Sequence, residues 1–271
     1  MNALVGEKLS IITAKAQTTR HRIFGIISGS DFQVVYSDTP GILDPNYKLQ
    51  EGMMKFVKSS LEDADLILFV VELGEKYDER SPLKSILQGQ TPTLLVINKA
   101  DLAKGSQLED KINYWQELFP SVDILTVSAV EKTNVDLLFS YIKTKIPVHP
   151  PYFPTDTLTD KSERFFAAEI IREKIFLNYK KEVPYSCEVE VSDFKEEEEL
   201  IRIRAEIYVE RSSQKGILIG HKGEALKKVG IEARKEMEIF FEKKVYLETY
   251  VKVQKDWRKN EKQLRRFGYM Q

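Results

Sequence analysis

The sequence predicts an α/β layered domain followed by a smaller α+β domain, and three observations carry that expectation. Short β-rich runs alternate with helix-length segments from Ile23 to about Lys145; four prolines then fall between Ile146 and Pro154; beyond them the pattern of helices and strands changes. A length of 271 residues allows about two domains of ordinary size.

In the first domain the strand-like runs are Phe24–Ile27, Phe32–Tyr36, Leu66–Glu72, Thr93–Ile97 and Asp123–Val127. Several are almost solid aliphatic, as Leu66-Ile67-Leu68-Phe69-Val70-Val71 is, which suits parallel strands buried on both faces. Ser28-Gly29-Ser30-Asp31 reads as the turn of a hairpin. Asn113–Phe119 and Val135–Ile146 have helical spacing, and such alternation implies right-handed crossovers. The proline-rich stretch opposes helix and is expected to be a linker or strap over residues 148–160. After it, Ser162–Tyr179 reads as an amphipathic helix with Ser162 or Asp160 as cap and Pro184 beyond its end. Ser186–Val191 and Glu199–Glu210 alternate like a hairpin joined by Lys195-Glu196-Glu197-Glu198. A glycine-rich turn, a helix over Ala225–Glu242, a strand over Val245–Val253 and a basic tail complete an α-β-β-α-α-β order. The expected domains are 1–147 and 161–271.

Composition narrows the function. Hydrophobic residues at 42% and charged residues at 31% are wrong for a disordered chain. No apolar run approaches the roughly 18–20 residues that span a bilayer, and the first eight residues lack a secretory pattern, so a cytoplasmic protein is expected. One cysteine, Cys187, and three scattered histidines make no metal-ligand spacing. From Arg211 onward there are 16 Lys and Arg against 8 Asp and Glu, so the whole-chain charge of −1 hides a basic C-terminal third. That third suits a polyanion, or is simply a solvated surface.

Four short motifs carry chemistry in the first domain. Asp38-Thr39-Pro40-Gly41 follows a strand; its carboxylate can hold Mg²⁺ through water, and Gly41 lets backbone N–H approach a phosphate. Asn98-Lys99-Ala100-Asp101 follows the next-but-one strand. Asp101 can accept two hydrogen bonds from guanine that adenine cannot supply, while the Lys99 stem can cover the base and Asn98 can brace the loop. Val127-Ser128-Ala129 supplies small residues at a base edge. Gln17-Thr18-Thr19-Arg20-His21 is a polar stretch whose Thr hydroxyl can reach a metal. Each has an ordinary reading as a loop or turn, but three of them sit just after strands of one α/β domain, where open sheets bind ligands.

In the second domain Gly220-His221-Lys222-Gly223 follows an apolar run and precedes a helix. Two glycines bracketing two polar residues let a nucleic-acid backbone approach, and Lys222 offers charge to phosphate, as in the GXXG clamp of KH domains. A helix cap is the plainer alternative. The tail from Trp257 to Arg266 mixes aromatics with cations. His21 and His221 are expected to be polar surface residues.

These residues resemble the Era GTPases, ribosome-assembly factors of the TrmE-Era group. The likeness is carried by Lys15–Ile23, Asp38–Gly41, Asn98–Asp101, Val127–Ala129, Phe165–Lys174 and Gly220–Arg234, and extends over nearly the whole chain. It implies a P-loop-type GTPase domain followed by a type-2 KH domain. It further implies GTP and GDP with Mg²⁺, binding to the 3′ end of small-subunit (16S) ribosomal RNA, and a role in 30S subunit biogenesis in which GTP hydrolysis gates RNA binding. A monomer with some peripheral membrane association is implied too, although no lipid anchor is visible. Carried over, Gln17–His21 would be switch I with Thr19 the Mg²⁺ ligand. Asp38 and Gly41 would contact metal and γ-phosphate. Asn98, Lys99 and Asp101 would read guanine, with Ser128 and Ala129 closing over it. Gly220, His221, Lys222, Gly223, Lys227 and Arg234 would meet RNA. Ile42 stands where Ras-type enzymes carry a water-orienting Gln, so hydrolysis is expected to be slow and to need another group, RNA- or potassium-dependent.

The front of the chain departs from the family. Met1–Lys8 resembles the end of the helix that follows the phosphate loop, and no Gly-x-x-x-x-Gly-Lys-Ser/Thr occurs in the 271 residues. The expectation is an N-terminally truncated chain, lacking the first strand and phosphate loop and impaired in GTP binding. The alternative is a non-enzymatic KH RNA-binding protein whose first domain is a scaffold.

Overall fold

The structure, a computed structural model, describes residues 1–271 apart from 14, 16, 80–82, 88 and 271. Its two compact units are not contiguous in sequence. One comprises residues 1–8, 24–38 and 57–159; the other comprises 9–23, 39–56 and 160–271. The grouping follows burial: Leu49 and Met53 share a core with Trp257, Leu264 and Tyr269, and therefore join the C-terminal unit.

The first unit opens with α1 (Asn2–Val5), stopped by Gly6 at φ 87°, a left-handed helix end that glycine adopts without strain. The hairpin strands β1 (Ile23–Ser28) and β2 (Gln33–Asp38) follow, its turn closed by the Gly29 N–H donating to the Phe32 carbonyl at 2.8 Å. After α2 (Lys48–Glu62) come β3 (Ile67–Glu72), α3 (Leu83–Leu87), β4 (Thr93–Asn98), α4 (Gln107–Leu118), β5 (Asp123–Thr126) and α5 (Val135–Lys145). Strands β3, β4 and β5 form a parallel sheet in that order. Its middle strand is buried on both faces, since Leu94, Leu95, Val96 and Ile97 alternate between two cores and none exceeds 2% exposure. Strand β3, whose run Leu66–Val71 suggests the same, lies at the sheet's edge, with Val71 buried but Val70 57% exposed.

The hairpin and the three parallel strands are separate sheets among the described residues. They nevertheless share side-chain packing, since Val34 and Tyr36 of β2 join Leu94 and Val96 of β4 and Leu138 and Ile142 of α5 in one core. The proline strap is tied to this unit. Gln33 accepts the backbone N–H groups of Tyr152 and Phe153 and donates to the Phe153 carbonyl, and the Leu158 carbonyl accepts from Ile26 N–H. One glutamine thus satisfies backbone that prolines leave without ladder partners.

In the second unit α6 (Glu163–Asn178) and α7 (Val183–Ser186) precede β6 (Glu188–Glu196) and β7 (Leu200–Val209). Then come α8 (Ser212–Ile219), α9 (Glu224–Phe240), β8 (Lys244–Val253) and α10 (Glu261–Arg266). The sheet order is β6-β7-β8, antiparallel then parallel. Ser162 occupies the predicted cap of α6, but its side chain makes no capping bond. Strand β6 runs through Lys195 and Glu196, which the sequence pattern assigns to the turn. A bulge between Val191 and Asp193 resets the register, so that Asp193 faces Arg204 and Lys195 faces Arg202. One face of the sheet packs Ile201, Ile203, Ala205, Ile207 and Val209 against Ile171, Ile175, Val229 and Met237 of the helices. Each Ile buried there contributes roughly 1.5–3 kcal/mol.

Candidate nucleotide site and nucleic-acid interface

Asn98, Lys99, Asp101, Ser128 and Ala129 converge at the C-terminal ends of β4 and β5. Asn98 closes β4, and its Oδ1 accepts the N–H of Ala129 at 3.1 Å. The Ala100 N–H donates to the Val127 carbonyl at 3.1 Å, and Val127 N–H to the Ile97 carbonyl at 2.9 Å. Two loops are thereby stitched edge to edge. Lys99 turns the chain in the left-handed region, at φ 63°, into a short 3₁₀ turn over Ala100–Leu102. Its ammonium pairs with Glu72 at the end of β3, directly opposite Asn98 in the register. Ser128 is fully buried; its N–H donates to the Thr133 carbonyl and its Oγ accepts from Glu131 N–H, both at 3.1 Å. Asp101 is exposed, and nothing among the described residues bonds its carboxylate. An unbonded carboxylate on a braced loop fits a ligand offering two N–H donors. Glu72 and Thr133 are partners that the motif did not name, although a strand-end acid beside a strand-end lysine is a signal the sheet register exposes.

The remaining predicted nucleotide residues are placed differently. Asp38 ends β2 in the first unit, whereas Gly41 and the segment holding Thr19 belong to the second. Gly41 is exposed, with open space where a Cβ would stand. Among the described residues no group of three or more His, Cys, Asp or Glu is arranged to hold a metal.

The stretch Gln17–His21 departs from the surface-loop reading, while neighbouring Ala16 lies outside the described residues. Gln17 is exposed at φ 57°, and Thr19 is half-buried. Thr18 is buried and donates to the Lys15 carbonyl at 2.7 Å. The Lys15 ammonium donates to the Phe176 and Tyr179 carbonyls at the end of α6, as a cation can at the negative end of a helix. Arg20 is 3% exposed. Its guanidinium donates to the Tyr185 and Cys187 carbonyls at 2.9 and 2.7 Å and to Glu188 Oε2 at 3.0 Å. His21, expected at the surface, stacks on Tyr269 at 4.3 Å and lies beside Phe56 and Phe165. Burial drives its pKa down to about 3, so the ring is neutral. Aromatic packing explains the correction, because an imidazole among three rings loses its water.

The glycine-bracketed turn lies between α8 and α9. Gly220 has φ 71°, and a Cβ there would come within 2.6 Å of Ala225 Cβ, so a side chain is excluded twice over. Lys222 at φ 49° and Gly223 at φ 82° complete the turn, and nothing stands within 4 Å of a Cβ on Gly223. His221, Lys222 and Lys227 are exposed. Arg234 is engaged instead with Glu238 at 2.7 Å, a helical i,i+4 pair.

Comparison with known proteins agrees with this layout. The KH domain family matches residues 182–258, and the 50S ribosome-binding GTPase family matches residues 1–99. GTPase Era of Syntrophus aciditrophicus is 44% identical over 99% of this chain and 89% of its own length; that of Staphylococcus haemolyticus is 41% identical over 100% and 92%. Among solved structures, Era in complex with MgGDPNP and nucleotides 1506–1542 of 16S ribosomal RNA superimposes with a TM-score of 0.94 at 36% identity, covering all of this chain and 93% of that one. A variant of Aquifex aeolicus Era bound to GDP and AlF4⁻ gives 0.93 at 37% identity, with the same coverage. No helix among the described residues is long and apolar enough to cross a membrane. The chain belongs to the Era GTPase family.

Proposed function

We propose that this chain binds the 3′ end of small-subunit (16S) ribosomal RNA through the Gly220–Gly223 turn and acts in 30S subunit biogenesis, with a guanine nucleotide, read by Asn98, Lys99 and Asp101, gating that binding. The observation that carries the reading is the pairing on one chain of a braced loop with an unbonded Asp101 carboxylate and an exposed Lys222 between two glycines at positive φ. The solved relative held with MgGDPNP and 16S ribosomal RNA supports it.

Toward the base the residues fit a guanine. Toward the phosphates we infer that a further strand and phosphate loop complete the site between β2 and β3, which share a core but no ladder. Such a strand would bring the backbone N–H groups and Lys that hold the β- and γ-phosphates. Asp38, at the end of β2, would serve Mg²⁺. The protein would work in the cytoplasm, as a monomer.

The test is anisotropy of labelled RNA of the 16S 3′-end sequence, titrated with guanine or adenine nucleotide present, on this chain and on one extended upstream by a relative's strand and phosphate loop. The expected result is RNA binding by both and a guanine-specific change in affinity for the extended chain. RNA binding blind to the nucleotide in both would favour the scaffold reading of the first domain.

A further inference from the structure

The helix-free face of the β6-β7-β8 sheet is covered at one end and open at the other. At the covered end Tyr208 is 3% exposed beneath Phe267, whose ring lies 5.2 Å away, and the Arg266 guanidinium, 5.4 Å from the Tyr208 ring. The chain's own C-terminal residues thus pack a cation and an aromatic ring against a sheet tyrosine.

At the open end the same chemistry recurs with no cover. Tyr246 and Tyr250 project from β8 and remain 48% and 41% exposed. They stand four residues apart along the strand, roughly 13 Å at about 3.3 Å per residue. From β7, Arg202 lies opposite Tyr246 in the register with its guanidinium 5.6 Å from that ring, and Arg204 lies 4.5 Å from the ring of Tyr250. Glu248 faces Arg204 in the register and is bonded by the Tyr246 hydroxyl, which fixes that ring's outer edge.

We propose that this open end is a stacking platform for single-stranded RNA, separate from the Gly220–Gly223 turn, on which two bases lie against Tyr246 and Tyr250 while Arg202 and Arg204 meet the flanking phosphates. The inference rests on the RNA-binding reading above and adds a second contact surface to it. Bases are the occupants that match: a π-face for each ring, and anionic backbone for each arginine. Sheets that display aromatic side chains take two or three bases in this way.

The experiment is fluorescence anisotropy with labelled single-stranded RNA of the 16S 3′-end sequence on the full chain, comparing wild type, Tyr246→Ala with Tyr250→Ala, Tyr246→Phe with Tyr250→Phe, and Gly223→Asp. The rings lie at the surface, so the melting temperatures should coincide; Tyr246→Leu with Tyr250→Leu replaces the alanine pair if that melts early. The alanine or leucine pair is expected to weaken binding about tenfold or more, with the salt slope unchanged because stacking releases no counterions. The phenylalanine pair should bind within about twofold of wild type. Wild-type affinity in the alanine or leucine pair, with binding lost in Gly223→Asp, overturns the platform and leaves the RNA reading intact. No binding by wild type overturns both.

Discussion

Arg20 Nη1 lies 3.0 Å from Glu188 Oε2, with both side chains almost wholly out of water and the two residues 168 positions apart in sequence. The pair fastens the predicted switch I stretch to the end of α7 and the start of β6. Burial pushes the Glu188 carboxyl up, and Arg20 is the strongest of the groups that hold it back.

Removing one partner should therefore be far worse than removing both. Arg20→Ala leaves Glu188 buried without its cation and should cost about 3–5 kcal/mol in urea unfolding, whereas Arg20→Met combined with Glu188→Leu should recover most of that loss. Equal destabilisation by the single and double changes would mean that the carbonyl contacts of Arg20, not the ion pair, fasten the segment.

Acid should loosen the same region. The folded state keeps His21 neutral down to about pH 3, while an unfolded imidazole takes up its proton near 6.5. Between those values the unfolded chain binds the extra proton, so stability falls as pH drops, by up to about 1.4 kcal/mol per unit. Burial pushes Glu169 up, but Arg172 outweighs it and holds the carboxyl below its usual value, which deepens the loss at still lower pH; the raised Glu188 opposes it. His21→Phe keeps the ring among Phe56, Phe165 and Tyr269 and should flatten the decline. An unchanged pH profile of urea midpoints in that variant would remove His21 from the account.

On the proposed reading, Asp101→Asn puts a donor where the carboxylate would accept from guanine. Guanine nucleotide should bind roughly 5–150-fold more weakly, from about 1–3 kcal/mol of mismatched hydrogen bonding, and xanthine nucleotide correspondingly better. Competition between the two nucleotides in the extended chain reads this directly, and an unaltered ratio would take the base away from Asp101.

The parts of the fold legible in the sequence are those whose partners are close by or periodic. The aliphatic run Thr93–Ile97 suits a strand buried on both faces, and Gly220–Gly223 marks a turn whose glycines take positive φ. The places of Asn98 and Asp101 were readable because the first closes β4 and the second follows in the turn beyond it. The docking of residues 9–23 was not readable. Arg20 and His21 look like surface residues until Cys187, Glu188 and Tyr269 come round from the far end of the chain, and nothing local to a polar stretch signals that. The extension of β6 through Lys195 and Glu196 was hidden for a similar reason, since it depends on a bulge between Val191 and Asp193 that nothing in the local pattern announces.

The most direct test of the central claim is the RNA affinity of Gly223→Asp at moderate salt. Gly223 holds φ 82° with nothing within 4 Å of its Cβ position, so an aspartate there strains the turn and sets a carboxylate where a phosphate would approach. The account predicts that binding of RNA of the 16S 3′-end sequence falls at least tenfold while the GTPase-domain loops, probed by nucleotide binding in the extended chain, are unaffected. Wild-type RNA affinity in Gly223→Asp would contradict it, and would move the RNA site away from the glycine turn.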